Sequence, residues 1–249
     1  MVLRGKTLIL TGASRGIGRA LSLALAQRGV QLVLNARSAP QLEEVRLEIE
    51  QLGGLALAIT GSAASDTIAR SLVETAQSMG SFMGFIHNAG VLHGGPLVHE
   101  LPEPHFDEVL DANLKAGFQL VRYAYPLLLR QGQGLAVFLG SGVAQHNIAG
   151  MGIYAVAKAA EEHLARQLAL EAPEITCFTY RPGVVETDMQ RQLRQAEGGG
   201  SAQLRPMFQG YRDQGRLLSP QQAAEGLLGI LEDNPHRFHG QITHPGQPG

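Results

Sequence analysis

A tyrosine and a lysine stand four residues apart in "GIYAVAKAAEEHLA" (Gly152 to Ala165). On a helix, residues i and i+4 share a face, so Tyr154 and Lys158 would project side by side. The alanine-rich sequence favours that helix. The pairing has a chemical use. A free tyrosine titrates near pH ~10, too high to exchange protons readily at neutrality. An ammonium about 4 Å away contributes up to roughly 4 kcal/mol at an effective dielectric of about 20, or about three pKa units. The cation would make the phenol acidic, and small neighbours leave room for ligands. Thirteen residues earlier, Ser141 ends the apolar run "LAVFLGS" and adds a hydroxyl that could join the same site.

A second group of residues suits phosphate binding. "TLILTGASRGIGRALSLALAQRG" reads as strand, glycine-rich turn and helix, with Gly12, Gly16 and Gly18 directly after the strand. Glycine lets the backbone turn tightly and approach a pyrophosphate, and the helix that follows offers free N–H groups and its positive dipole end. The next strand ends "LVLNARS", with Asn35 and then Arg37 where a carboxylate would accept from a ribose 2′-hydroxyl. Arg37, together with Arg15 in the loop, can pair with a 2′-phosphate instead. The expected cofactor is NADP(H).

These groups need a frame to hold them. "TLILT", "VQLVLN", "GLALAIT", "FMGFIHN", "LAVFLG" and "ITCFTY" are short, mostly continuous apolar runs, the pattern of parallel strands buried on both faces. Amphipathic segments separate them. In "PQLEEVRLEIEQLGG", Leu42, Val45, Ile49 and Leu52 mark one face. A short "GQIT" near the C-terminus suggests a seventh strand. This β-α alternation predicts an α/β fold with one doubly wound parallel sheet of about seven strands, flanked by helices. The carboxyl ends of such strands open onto the ligand crevice, which aims Ser141 at it. One domain over 1–249 is expected, interrupted only by "RQAEGGGSAQLRP" (Arg194 to Pro206), read as a flexible insertion.

Composition excludes several other classes. The net charge is −2 and no lysine-arginine block occurs, so neither nucleic acid nor an anionic membrane is an expected partner. No apolar run approaches the ~20 residues that span a bilayer. The N-terminus "MVLRGKTLILTG" has no signal-peptide pattern, and a cytoplasmic protein is expected. Cys177, the single cysteine, sits in a strand-like context and reads as structural. His93, His99 and His105, and His236, His239 and His244, come without H-E-x-x-H or a cysteine cluster, so no metal site is expected. "GSG" at Gly140 to Gly142 is not G-x-S-x-G, which disfavours a serine hydrolase.

Along nearly its whole length the chain resembles the short-chain dehydrogenase/reductases. The matches, in order, are "TGASRGIG" (Thr11 to Gly18), "HNAG" (His87 to Gly90), Asn113 in "DANLKAGF", Ser141, "YAVAK" (Tyr154 to Lys158) and "RPGVVETDM" (Arg181 to Met189). The resemblance implies a Rossmann-like sheet and reduction of a small carbonyl compound, with Tyr154 as proton donor. Ser141 would hold the carbonyl oxygen, Lys158 would also bond the nicotinamide ribose, and Asn113 would help a water chain reach Lys158. It further implies cofactor contacts from Ser14 and Ile17 in the first loop. Asn88, Ala89 and Gly90 would lie along the adenosine-side ribose, and Pro182, Gly183, Val185, Thr187 and Met189 along the nicotinamide. Family members commonly pair through two long central helices, here around Phe106 to Arg130 and Ile153 to Leu170, so a homodimer or homotetramer is expected.

Two positions depart from the family pattern. After the third strand Ser62 stands where an aspartate often meets adenine, with Asp66 displaced to an expected helix cap. His87 replaces the commoner asparagine before "NAG", a change expected to affect strand packing more than chemistry. The segment from "PGVVETDMQRQLRQ" to "FQGYRDQGRLLSPQQAAEGLL" is similar to the sepiapterin and benzil reductase branch, which implies vicinal dicarbonyl substrates. Residues 189–217 are expected to form a mobile lid hinged at Gly198 to Gly200. The competing reading is an NADP(H)-binding regulatory or interaction module, against which the intact Asn113, Ser141, Tyr154 and Lys158 speak.

Overall fold

A computed structural model describes residues 3–246, so the ends of the expected 1–249 domain, residues 1–2 and 247–249, lie outside the described residues. Seven strands form one sheet: β1 (Thr7–Thr11), β2 (Gln31–Ala36), β3 (Ala56–Thr60), β4 (Phe82–His87), β5 (Gly134–Leu139), β6 (Ile175–Tyr180) and β7 (Ile242–Thr243). Their order is β3-β2-β1-β4-β5-β6-β7, and every pairing is parallel. The winding reverses between β1 and β4, which opens a crevice at their carboxyl ends. β1, β4, β5 and β6 are buried along their whole length, which explains their unbroken apolar sequence.

Alternate residues of each strand feed two cores. Leu8 and Leu10 of β1 pack with α1 (Gly16–Gln27), α2 (Ala39–Gln51) and α9 (Pro220–Glu232). Ile9, between them, faces the other side with α3 (Asp66–Ser78), α5 (Ala116–Gln131) and α6 (Gly152–Glu171). On α2, Leu42, Val45 and Ile49 are buried as expected, whereas Leu52 lies past the helix end and is exposed. A third apolar cluster gathers at the carboxyl edge of the sheet. There α4 (Glu103–Leu110), α7 (Asp188–Arg194) and α8 (Ser201–Asp213) supply Val109, Leu193, Leu204 and Phe208 around Tyr154. The helix expected from Phe106 to Arg130 is in fact α4, a π-helical turn (Asp111–Lys115) and α5. Among the described residues no helix is long and apolar enough to cross a membrane.

Candidate active site

The glycine turn after β1 folds back on itself. Gly12 and Gly16 adopt φ of 65° and 53°, left-handed values that a side chain would strain. A Cβ on Gly18 would fall 2.0 Å from the Gly12 carbonyl oxygen, so the third glycine is required by contact rather than by φ. Asn88 ties this turn to the loop after β4, its amide donating to the carbonyls of Thr11 (3.1 Å) and Gly12 (3.0 Å). α1 begins without a side-chain cap, which leaves its first N–H groups to an anion. Ser14 lines the cleft beside them, and Ile17 also packs against the core.

Arg37 at the end of β2 and Arg15 in the glycine turn are exposed and already paired. Arg37 bonds Glu108 of α4, which His93 bonds as well, and Arg15 lies 3.3 Å from Asp188. Asn35 is buried, and its amide donates to the carbonyls of Ile59 (2.9 Å) and Gly61 (3.1 Å). Its side chain stitches β2 to β3 and supports the site from behind. Ser62 is exposed at the cleft wall. Asp66 is not the cap of α3, a position that Ser65 takes; it clasps α5 by bonding Arg122 at 2.8 Å and the Tyr123 hydroxyl.

Tyr154 and Lys158 share the buried face of α6, 8% and 3% exposed, and the Ser141 hydroxyl lies beside the phenol. Ser141 reaches it from a 3₁₀ turn (Gly142–Gln145) that follows β5. Lys158 does not face the phenol alone. Its Nζ donates to the Leu139 carbonyl and to Glu161 Oε2, both at 2.7 Å. The expected lowering of the phenol is therefore reversed. Burial raises Tyr154 above its ordinary range, the ammonium opposes this, and the Glu161 carboxylate adds to the rise. Burial likewise pushes the Glu161 carboxyl up to about 7.

His87 does more than pack. Its Nδ1 lies 2.9 Å from Thr11 Oγ1 and its Nε2 3.5 Å from Glu161 Oε1, all within the interior. Burial pushes the ring down to about 3, so it is neutral at physiological pH. Asn113 sits in the π turn and donates both amide protons, to Val91 O at 2.7 Å and Val109 O at 2.8 Å. This staples the turn to the loop after β4, while Lys158 finds its partners elsewhere. Asn113 Oδ1 is buried without a partner and abuts Gly90, where a Cβ would come within 2.7 Å of it.

After β6, Arg181 grips Glu162 with Nε and Nη2 at 2.8 and 2.6 Å and reaches Gln145 with Nη1 at 2.8 Å. Breaking such a buried pair costs about 3–5 kcal/mol, so it firmly fixes the chain that follows. Pro182, Gly183 and Val185 then line the cleft, with Val185 bridging to Leu218. Thr187 starts α7 and approaches the glycine turn, its Cγ2 3.4 Å from where a Cβ on Gly16 would lie. Met189 packs at the edge of the Tyr154 cluster. One cleft of about 1070 Å³ runs past Gly12, Arg37, Asn88, Ala89, Ser141 and Tyr154. Its shape and donors fit a dinucleotide: backbone N–H groups and cations at one end, hydroxyls and a cation at the other.

The segment expected as a flexible insertion is a closely packed turn over 195–200 that runs from α7 into the first residues of α8. Gly95, Gly150 and Gly200 form a backbone seam, with Gly95 N donating to Gly150 O and Gly200 N to Gly95 O, each at 2.8 Å. A Cβ on Gly200 would lie 2.5 Å from Gly150 Cα, so this glycine permits close approach. Gly198 has φ of 102° and packs against Pro96. The run at Gly198 to Gly200 is thus a contact surface in this structure, not an open hinge. Cys177 is buried, and its thiol is pushed up to about 12 by burial, which keeps it inert. His93 and His105 stack at 3.8 Å, yet among the described residues no three His, Cys, Asp or Glu side chains converge as a metal site would need.

Comparison with known proteins gives the same picture. A family profile described as short chain dehydrogenase matches residues 6–198. The NADPH-dependent pterin aldehyde reductase of Arabidopsis thaliana is 30% identical over 190 residues, covering 76% of this chain and 78% of its own. The 3-oxoacyl-[acyl-carrier-protein] reductase FabG of Pseudomonas aeruginosa is 32% identical over 251 residues, covering 98% and 97%. A solved 7 alpha-hydroxysteroid dehydrogenase, in complex with NADH and 7-oxo glycochenodeoxycholic acid, superposes with a TM-score of 0.83 at 29% identity, covering 97% of this chain and 93% of that one. The match runs from the glycine turn through the Tyr154 helix and into the segment that covers it. The chain belongs to the short-chain dehydrogenase/reductase family, oxidoreductases that act on alcohol and carbonyl groups with a nicotinamide cofactor.

Proposed function

We propose that the protein is an NADPH-dependent carbonyl reductase whose preferred substrates are compact vicinal dicarbonyls. The observation that carries this reading is the meeting of Tyr154, Ser141 and Lys158 on one wall of a cleft whose far end holds the glycine turn, Arg15 and Arg37. The cofactor supplies a hydride to the carbonyl carbon when bound. Tyr154 gives its proton to the carbonyl oxygen, and Ser141 donates a hydrogen bond to that same oxygen. Lys158 steadies the phenolate left behind and would bond the nicotinamide ribose. Asn113 braces the π turn beside the proton path. The arginines favour the 2′-phosphate form, because β2 ends without a carboxylate to receive a 2′-hydroxyl. The Arabidopsis relative is named for NADPH and a pterin aldehyde, which supports the NADPH and carbonyl parts of this reading.

α7 and α8 supply the substrate cover. Met189, Leu193, Met207, Phe208 and Tyr211 face the cleft beside Tyr154, and their closure would exclude water from the carbonyl. NADPH oxidation should be faster with a vicinal diketone than with a comparable simple ketone, and a clear preference for the ketone would refute the substrate class. Amide exchange across residues 189–217 should slow when NADP⁺ and a product analogue bind; unchanged exchange would refute the cover. NADPH binding with no turnover across ketones, quinones, diketones and pterins would instead support the binding-module reading.

Exposed apolar residues on α5 and α6, among them Phe118, Leu129, Val156 and Leu170, suit the pairing of these helices between copies. Light scattering should read a mass of two or four chains, and a one-chain mass would refute this assembly.

A further inference from the structure

Behind Lys158 lies a buried polar chain that the reaction above does not use. Thr11 Oγ1 accepts from the backbone N–H groups of Asn88 and Ala89, both at 3.1 Å. Both lone pairs are then engaged, so its own proton goes to His87 Nδ1 at 2.9 Å. A neutral imidazole that accepts at Nδ1 carries its proton on Nε2. The carbonyls of Ala112 and Asn113 face the ring, and Glu161 Oε1 lies 3.5 Å from Nε2 without a hydrogen bond between them. The other carboxylate oxygen, Oε2, holds Lys158 Nζ. His87 and Glu161 are 0% exposed. Glu161 is the counter-charge of the buried Lys158 ammonium, which would otherwise keep only the Leu139 carbonyl.

We infer that Glu161 is a positioning residue that sets the charge Tyr154 feels through Lys158. The catalytic meaning of this inference rests on the reductase reading; its electrostatic content does not. With Glu161 ionised, the Lys158 ammonium is balanced and the phenol keeps its proton to high pH. Remove the carboxylate, and the same ammonium acts on the phenol unopposed. Glu161 thereby helps keep the proton donor in its donating form at the pH values above neutrality where the carboxylate is ionised. Few other charges face this carboxylate. Tyr154 and Lys158 lie on its own helix, His87 comes from β4, and Glu162 is neutralised by Arg181 at the end of β6. From the π turn, Asp111 and Lys115 pair with each other at 3.0 Å on the surface, and from α4, Glu108 is held by Arg37 and His93.

The test reads tyrosinate absorbance during alkaline titration. Subtracting the curve of Tyr154→Phe isolates Tyr154, and the same subtraction is made in a Glu161→Gln background. Glu161→Gln should lower the Tyr154 midpoint by about one to three units. The alkaline loss of NADPH-dependent reduction should move with it. Glu161→Asp, which keeps the charge but withdraws it by one methylene, should give an intermediate midpoint. A folded Glu161→Gln protein with an unmoved midpoint overturns the inference, even if its turnover falls, because a merely structural carboxylate would not change the phenol's titration. Should Glu161→Gln fail to fold, Glu161→Asp carries the test alone, and a midpoint equal to that of the unaltered protein overturns it. Absence of turnover in the unaltered protein would refute the reductase reading and leave the titration to judge Glu161.

Discussion

Tyr154→Phe is expected to reduce carbonyl turnover by about 10²–10⁴-fold, the usual range for a positioned acid, while NADPH still binds. The substitution removes one oxygen and little else. The ring keeps its place in the apolar cluster with Leu92, Met151, Leu193 and Phe208, and the Lys158–Glu161 pair keeps its geometry. Only the transferable proton and the phenol's contact with the Ser141 hydroxyl are lost. Lys158→Met is a less clean probe, because it would leave Glu161 buried without its cation, a change that costs about 3–5 kcal/mol in such pairs. Turnover and NADPH affinity should therefore be measured together in the phenylalanine variant. Near-normal turnover would remove Tyr154 from the chemistry, and lost affinity would show that the site had been disturbed.

The sheet was legible in the sequence because parallel strands buried on both faces have no polar side to break their apolar runs. The glycine turn was legible for a similar reason: only glycine tolerates the φ at Gly12 and the contact at Gly18. Tyr154, Lys158 and Ser141 could be placed by helical spacing and strand end. Glu161 could not, although it stands three residues after Lys158 on the same face. A second glutamate follows it, and charged pairs on helices usually face solvent. The clue was alanine at neighbouring positions, which marks a face pressed against the sheet. His87 was underrated because its partners, Thr11 and Glu161, come from distant strands and helices that only folding assembles. The Gly198 to Gly200 run misled because glycine serves both loose hinges and tight seams. Which applies depends on Pro96 and Gly150, far away in the chain.

Arg37→Asp is expected to shift cofactor preference from NADPH toward NADH by about 10²-fold in the ratio of kcat/KM values, the combined effect of losing charge-assisted hydrogen bonds and adding like-charge repulsion. Arg37 lies at the carboxyl end of β2 and is exposed, free of the buried supports that hold Asn35 beside it. Its present partner, Glu108 on α4, must share or release the guanidinium when a 2′-phosphate enters. An aspartate at 37 would face both that phosphate and Glu108. The new carboxylate pair disfavours the phosphate further, and a ribose 2′-hydroxyl can relieve it by donating to one oxygen. Arg15 limits the size of the switch. It sits across the glycine turn with its guanidinium 3.3 Å from Asp188, and it can swing to part of the phosphate. The double variant Arg15→Ala, Arg37→Asp should therefore complete what the single one begins. An unchanged ratio in both proteins would show that neither guanidinium selects the cofactor, and that the end of β2 is a solvated edge without a role in recognition.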